Sequence, residues 1–185
     1  MTLPRGLLIS IGIAALGAAV LFLMGREPIC QCGTIKLWHG EVISSENSQH
    51  LSDWYSPSHL LHGLVFYAFF WLILRRSGLG LRLTFATIIE VAWEIAENTN
   101  AVIERYREAT IALDYFGDSI LNSMADITFM ILSFFLAMRL PVWVSVLIFV
   151  AAELIVGYFI RDGLILNVIM LLNPQDWIRE WQALA

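Results

Sequence analysis

The chain has 185 residues, 58% of them hydrophobic and 15% charged, with a formal net charge of −5. Soluble domains run at about 45–50% apolar and about 25% charged. That balance, with a mean hydropathy of +0.71, excludes disorder, collagen-like repeats, coiled coil and a disulfide-dense mini-protein. It points to an all-α, polytopic membrane helix bundle forming one integral-membrane domain over residues 1–185. The net negative charge and the lack of a Lys/Arg tract exclude nucleic acid as a partner.

A spanning helix needs about 20 mainly apolar residues. The first run is 6–25. It exceeds a signal-peptide core of about 7–15 residues, and Arg26-Glu27-Pro28 follows it in place of a small-residue cleavage site, so it reads as an uncleaved anchor. Just beyond it, Cys30-x-Cys32 either pairs, stays free or forms a structural turn with Gly33. The loop 26–57 continues through Trp38-His39-Gly40 and a polar run from Ser44 to His50. It is either an aromatic interfacial loop or a lid over a site; His39 and His50 read as surface residues. The second span is 58–76 and opens with His59 and His62. The third, 81–98, carries Glu90, Glu94 and Glu97, and spans only if these face inward. A loop follows over 98–117.

The fourth span, 118–138, carries Asp118, Asn122 and Asp126. The fifth, 142–160, carries Glu153. The apolar stretch 163–172 is about half a span, either a bent continuation or a re-entrant piece. The tail reads as an amphipathic helix with Trp177, Ile178, Trp181 and Leu184 on one face, suited to a headgroup layer. About five transmembrane helices result. The short flanks 1–5, 75–82 and 139–141 carry Arg5, Arg75, Arg76, Arg82 and Arg139 and no acid. The positive-inside rule places them in the cytoplasm. A multi-pass protein of the bacterial inner membrane is expected, with its N-terminus cytoplasmic and the loops 26–57 and 98–117 and the C-terminus periplasmic.

Acids within spans are costly and therefore informative. At about 1.5 Å per residue, Glu90 and Asp126 lie about 12 Å from the outer surface and Glu94 about 6 Å. His59 and His62 (i, i+3), Glu90, Glu94 and Glu97 (i, i+4, i+7), and Asp118, Asn122 and Asp126 (i, i+4, i+8) each share a helix face. These stripes predict a polar cavity in the outer half of the bilayer. Many carboxylates together require cations, and the arginines of the 98–117 loop are the plainest source.

Two chemistries fit. His-x-x-His with acids is a ligand set for a divalent metal, here His59, His62, Glu94 and Asp126; Asp126 with Glu90 or Glu94 is an acid pair sharing a proton. His59, His62, Glu94, Asp118 and Asp126 are the catalytic candidates, for a reaction on an amphipathic or lipid-linked substrate, with the lipid bilayer as the standing partner. A serine nucleophile (Ser58 or Ser119) lacks a supporting motif. The alternative is a non-catalytic assembly or accessory protein whose polar stripes join helices by hydrogen bonds. Asn122, Ser119 and Ser123 fit that role.

Several motifs taken together resemble one family. They are Pro28-Ile29-Cys30-Gln31-Cys32-Gly33, Leu37-Trp38-His39-Gly40, Asp53-Trp54-Tyr55-Ser56-Pro57-Ser58-His59-Leu60-Leu61-His62-Gly63, Trp93-Glu94-Ile95-Ala96-Glu97-Asn98, and Tyr115-Phe116-Gly117-Asp118-Ser119-Ile120-Leu121-Asn122-Ser123. Gly157-Tyr158-Phe159-Ile160-Arg161-Asp162 completes the set. The chain resembles uncharacterised protein family 0314, domain of unknown function 2585, over nearly its whole length. The resemblance implies a multi-pass bacterial inner-membrane protein and assigns no catalytic residue. A shorter similarity to VanZ-like membrane proteins rests on Asp53 with His59, Glu94, and Gly117-Asp118 with Asp126.

Overall fold

The computed structural model describes residues 1–109 and 114–183. These form eight helices: α1 (Leu3–Leu23), α2 (Ser56–Ile73), α3 (Leu79–Glu97), α4 (Asn100–Ala109), α5 (Ile120–Arg139), α6 (Val142–Ile160), α7 (Leu164–Leu172) and α8 (Asp176–Gln182). Among the described residues there is no β-strand, only an isolated bridge between His39 and Asp53. Helices α1, α2, α5 and α6 are long and apolar enough to cross a membrane. Helix α3 has the length, at 19 residues, but carries Arg82, Glu90, Glu94 and Glu97. It is shielded on its polar side, where Glu90 and Glu94 are buried between helices.

Helix α1 lies along α3, α2 lies along α5, and α3 joins the two pairs. Both pairings rest on small residues, as lipid-embedded helices require when no aqueous hydrophobic effect pushes them together. A Cβ on Gly6 would enter the backbone of Gly80, and one on Gly63 would enter α5 at Met130, Ser133 and Phe134. Thr87 donates a hydrogen bond to Ser10 (3.0 Å) across the α1–α3 contact, and both are fully buried. Phe70, Leu83, Ala86, Met130 and Phe134 form the apolar core between α2, α3 and α5. Helix α6 is largely bare, with Val142, Trp143, Leu154 and Tyr158 each at least two-thirds exposed.

The loop regions hold more order than the sequence indicates. The 98–117 loop contains α4, whose Ile103 and Tyr106 are buried. The 163–172 stretch is a separate helix, α7, because Arg161 adopts a left-handed backbone (φ 52°) and ends α6. Glu153 caps this helix: its carboxylate accepts the N–H groups of Leu164 (2.8 Å) and Ile165 (3.0 Å). The first N–H groups of a helix lack internal partners and attract negative charge, which accounts for the acid. In α8, Ile178 is buried whereas Trp177 and Trp181 are exposed, so the predicted four-residue face is divided. Leu184 lies outside the described residues.

Candidate functional site

The site is built at the end of the bundle that carries the 26–55 loop, α4 and α7. Asp53 sets the start of α2: its carboxylate accepts the N–H groups of Ser48 (2.9 Å) and Tyr55 (2.7 Å), and Ser56 Oγ receives the Asp53 N–H (3.1 Å). Pro57 occupies the first turn, where a missing N–H costs nothing. Burial pushes the Asp53 carboxyl above the usual aspartate range. This turn delivers His59 and His62 to the face of α2 that meets α3.

Glu90 is the hub. It is fully buried, with Oε1 2.8 Å from His59 Nδ1 and Oε2 2.9 Å from His62 Nδ1. Glu94 lies one turn further along α3, with Oε1 3.3 Å from His59 Nδ1. On the other side of the ring, His59 Nε2 stands 3.8 Å from Asp126 Oδ2 on α5. His62 is held by stacking on Phe66 and an edge contact with Trp93. Three helices thus converge on one imidazole. Asp126 Oδ1 and both oxygens of Glu94 are buried without a hydrogen-bond partner.

Asp118 forms a second cluster. Its carboxylate accepts from Asn98 Nδ2 (2.7 Å) and Tyr115 Oη (3.0 Å), and its N–H donates to Asn98 Oδ1 (2.8 Å). Gly117 makes the turn before it with φ 101°. Glu97 lines the same cavity as Asp118.

Around these clusters lies a cavity with about 650 Å³ of void space, its open mouth included. His59, His62, Asp118 and Asp126 line it, and so do Ser58, Asn122, Tyr55, Trp93, Tyr106 and Tyr115. Asn47 and Ser48 bring the polar loop to its edge. Glu94 and Glu90 lie behind the histidines. Of the five candidate residues, the structure gathers His59, His62, Glu94 and Asp126 and places Asp118 in the neighbouring cluster.

Three expectations change. The arginines do not neutralise the acids: among the described residues none lies within ion-pair distance of the stripe. Arg105 donates to the Leu171 carbonyl, Arg26 to that of Phe116 and Arg161 to that of Trp181. His39 and His50 are buried, not on the surface. Ser119 and Asn122 join a loop to a helix rather than helix to helix: Ser119 Oγ donates to the Gln49 carbonyl and Asn122 Nδ2 to that of His50.

Cys30 and Cys32 are disulfide-bonded, with Cα atoms 5.1 Å apart. Glu46 and His50 lie near them, close enough for a four-residue ligand set. That group is self-contained, however. His50 Nδ1 accepts the Lys36 N–H (3.3 Å), so its Nε2 carries the proton that it donates to Glu46 (2.9 Å). Glu46 also pairs with Lys36, and hydrogen bonds from Lys36 and then His50 lower its carboxyl to about 2.

The family model described as a protein of unknown function, DUF2585, matches residues 21–184. The chain belongs to this family. A UPF0314 protein of Paracoccus denitrificans is 58% identical over 171 residues, covering 92% of this chain and 89% of that protein. One from Sinorhizobium fredii is 56% identical over 177 residues, covering 96% and 90%. One from Sphingopyxis alaskensis is 48% identical over 178 residues, covering 96% and 95%. No solved structure matches. Relatives of this UPF0314 chain thus match it along nearly their whole length, cavity elements included.

Proposed function

We propose that this UPF0314 chain is a multi-pass protein of the bacterial inner membrane whose cavity opens to the periplasm and acts on an amphipathic or lipid-linked substrate. The observation that carries this is the convergence of His59, His62 and Asp126 on an open cavity at the level of the membrane-crossing helices, with buried, unpartnered carboxylate oxygens on Glu94 and Asp126. A protein stabilised for its own sake leaves few such atoms, because each forfeits a hydrogen bond and retains the full desolvation cost. Here they are held beside a cavity where a ligand completes them. The cavity also has an apolar flank from Trp93, Leu164 and Val168, which suits the junction of a polar head and an acyl chain. His59 presents its Nε2 edge toward Asp126, since Glu90 holds its Nδ1 from behind. The 44–50 segment forms the edge of the mouth and acts as its lid. The basic flanks at the opposite end support the reading of that end as cytoplasmic.

The test is complementation of a deletion strain, read as the lipid and envelope profile. Wild type restores it; Asp126→Asn and His59→Gln, present in the membrane at equal folded amounts, do not. Full restoration by both variants refutes the proposal. The same result would favour the accessory reading, which the loop-to-helix bonds of Ser119 and Asn122 support. Labelling of Glu41→Cys in whole cells by a membrane-impermeant thiol reagent tests the orientation; protection of that site reverses it.

A further inference from the structure

We propose that the ligand of this cavity is cationic: a primary amine carried on an apolar chain, with its ammonium group paired to Asp126 and its chain against Trp93, Leu164 and Val168. This rests on the reading of the cavity as the working site and names the class of molecule that enters it. Asp126 is the anchor. Its side chain is 7% exposed and lines the cavity. Oδ1 has no hydrogen-bond partner, and Oδ2 stands 3.8 Å from His59 Nε2, beyond hydrogen-bond reach. An ionised carboxylate only accepts, so a donor completes it, and a charged donor makes the stronger bond. Glu94, on the other side of the same imidazole, also keeps both oxygens buried and unpartnered.

The surroundings decide the sign of the charge. At and behind the cavity wall, five carboxyls (Glu90, Glu94, Glu97, Asp118 and Asp126) stand against two imidazoles, His59 and His62. Among the described residues no lysine or arginine lines the cavity, and the sequence at 110–113 and 184–185 holds none. Anionic headgroups are held by arginine, by lysine or by the free N–H groups of a helix start. The start of α7 reaches this wall at Leu164, but Glu153 already takes its N–H groups at Leu164 and Ile165. A phosphate therefore finds nothing here to offset its desolvation, whereas an ammonium group finds an excess of acid in a recess shielded from water, where such pairs are strongest. The same oxygens favour a primary amine over a quaternary one, which brings charge but no N–H. Leu164 and Val168 lie one turn apart on α7 and so share a face, and with Trp93 they line the cavity's apolar side. That surface takes the chain.

The experiment uses the full chain in an uncharged maltoside detergent, titrated calorimetrically at neutral pH with octylamine, octyltrimethylammonium, octanol and octyl phosphate. Octylamine binds at one equivalent per chain and raises Tm. Octyltrimethylammonium and octanol bind at least about tenfold more weakly, and octyl phosphate does not bind. Asp126→Asn weakens octylamine by at least about tenfold and leaves octanol unchanged, so the loss reports the ion pair and not the fold. Glu46→Gln, which removes the same charge outside the cavity, binds octylamine as wild type does. Octyl phosphate or octyltrimethylammonium binding as tightly as octylamine overturns the inference. So does octylamine binding that survives Asp126→Asn, or no octylamine binding by folded wild type. Complementation is read separately. If octylamine does not bind while Asp126→Asn and His59→Gln still fail to complement, this inference falls and the cavity's function stands; if both variants complement, the reading of the cavity itself falls.

Discussion

Gly63 is where the fold and the site are most tightly linked. It lies next to His62 on the face of α2 that meets α5, the helix carrying Asp126. A Cβ built there stands 2.7 Å from the Phe134 nitrogen and nearer still to Met130 O and Ser133 Oγ. Two of those atoms are backbone, so no rotamer change relieves the contact. Ordinary contact begins at 3.4 Å, so α2 and α5 must part by at least about 0.7 Å in Gly63→Ala. Overpacking of this kind costs about 1–3 kcal/mol. At roughly 2–4 °C per kcal/mol for a chain of this size, Tm falls by roughly 2–12 °C. The same movement widens the 3.8 Å gap between His59 and Asp126. Thermal unfolding of the detergent-solubilised protein reads the loss of stability, and complementation of the deletion strain at equal folded amounts reads the effect on the site. Gly12→Ala is the control: a Cβ there meets nothing within 4 Å, and it leaves Tm unchanged or raised because alanine is the better helix former. If Gly63→Ala melts and complements as Gly12→Ala does, the close approach of α2 and α5 does not set the site.

Three further outcomes are expected. Burial raises the Asp162 carboxyl from 3.8 to about 6, so its penalty is absent below pH 4 and complete above pH 6. Stability therefore falls as pH rises through that window, by about 3 kcal/mol at most, and Asp162→Asn removes the slope in unfolding measured from pH 4 to 7. Glu46 behaves oppositely: its folded value of about 2 lies below the ordinary 4.5, so its contribution is present above pH 4.5 and is lost as pH falls toward 2. Glu46→Gln abolishes that dependence, read as protease sensitivity of the 44–50 segment. Asn98→Ala strips Asp118 of a side-chain donor and a backbone acceptor, and leaving buried polar groups unpaired costs about 2–4 kcal/mol. Tm reports it, and an unchanged Tm would mean that water replaces the amide.

The spans were legible because a bilayer imposes a length and a polarity that composition cannot disguise. The facing of Glu90, Glu94 and Asp126 was legible because a lipid-exposed acid is untenable, so periodicity alone turns the stripe inward. What pairs with what was not legible. The i, i+3 spacing of His59 and His62 shows two rings on one face of α2, but the axial register of α2 against α3 decides that Glu90, rather than Glu94, receives both. That register is a matter of how the helices pack, as are the close approaches of Gly6 to Gly80 and of Gly63 to α5, none of which a single sequence displays. Helix α4 was within reach: Val102, Ile103 and Tyr106 follow helical spacing behind Thr99 and Asn100. The reversal after α6 was not, because it depends on the left-handed Arg161 and on Glu153 reaching eleven residues ahead to Leu164.

Depth in the membrane therefore ranks these acids poorly; partners rank them well. Glu153 lies as deep as its neighbours by sequence, yet it is satisfied by two helix N–H groups. Asp118 is satisfied by Asn98 and Tyr115, and Glu90 by two histidines. Each of these is accounted for by structure alone. Glu94 and Asp126 keep buried oxygens without a hydrogen-bond partner, and they flank the imidazole of His59 from opposite sides. A buried oxygen whose hydrogen bond is unmade forfeits stability, so these two acids, set around one ring beside an open cavity, are the ones that helix packing alone does not explain.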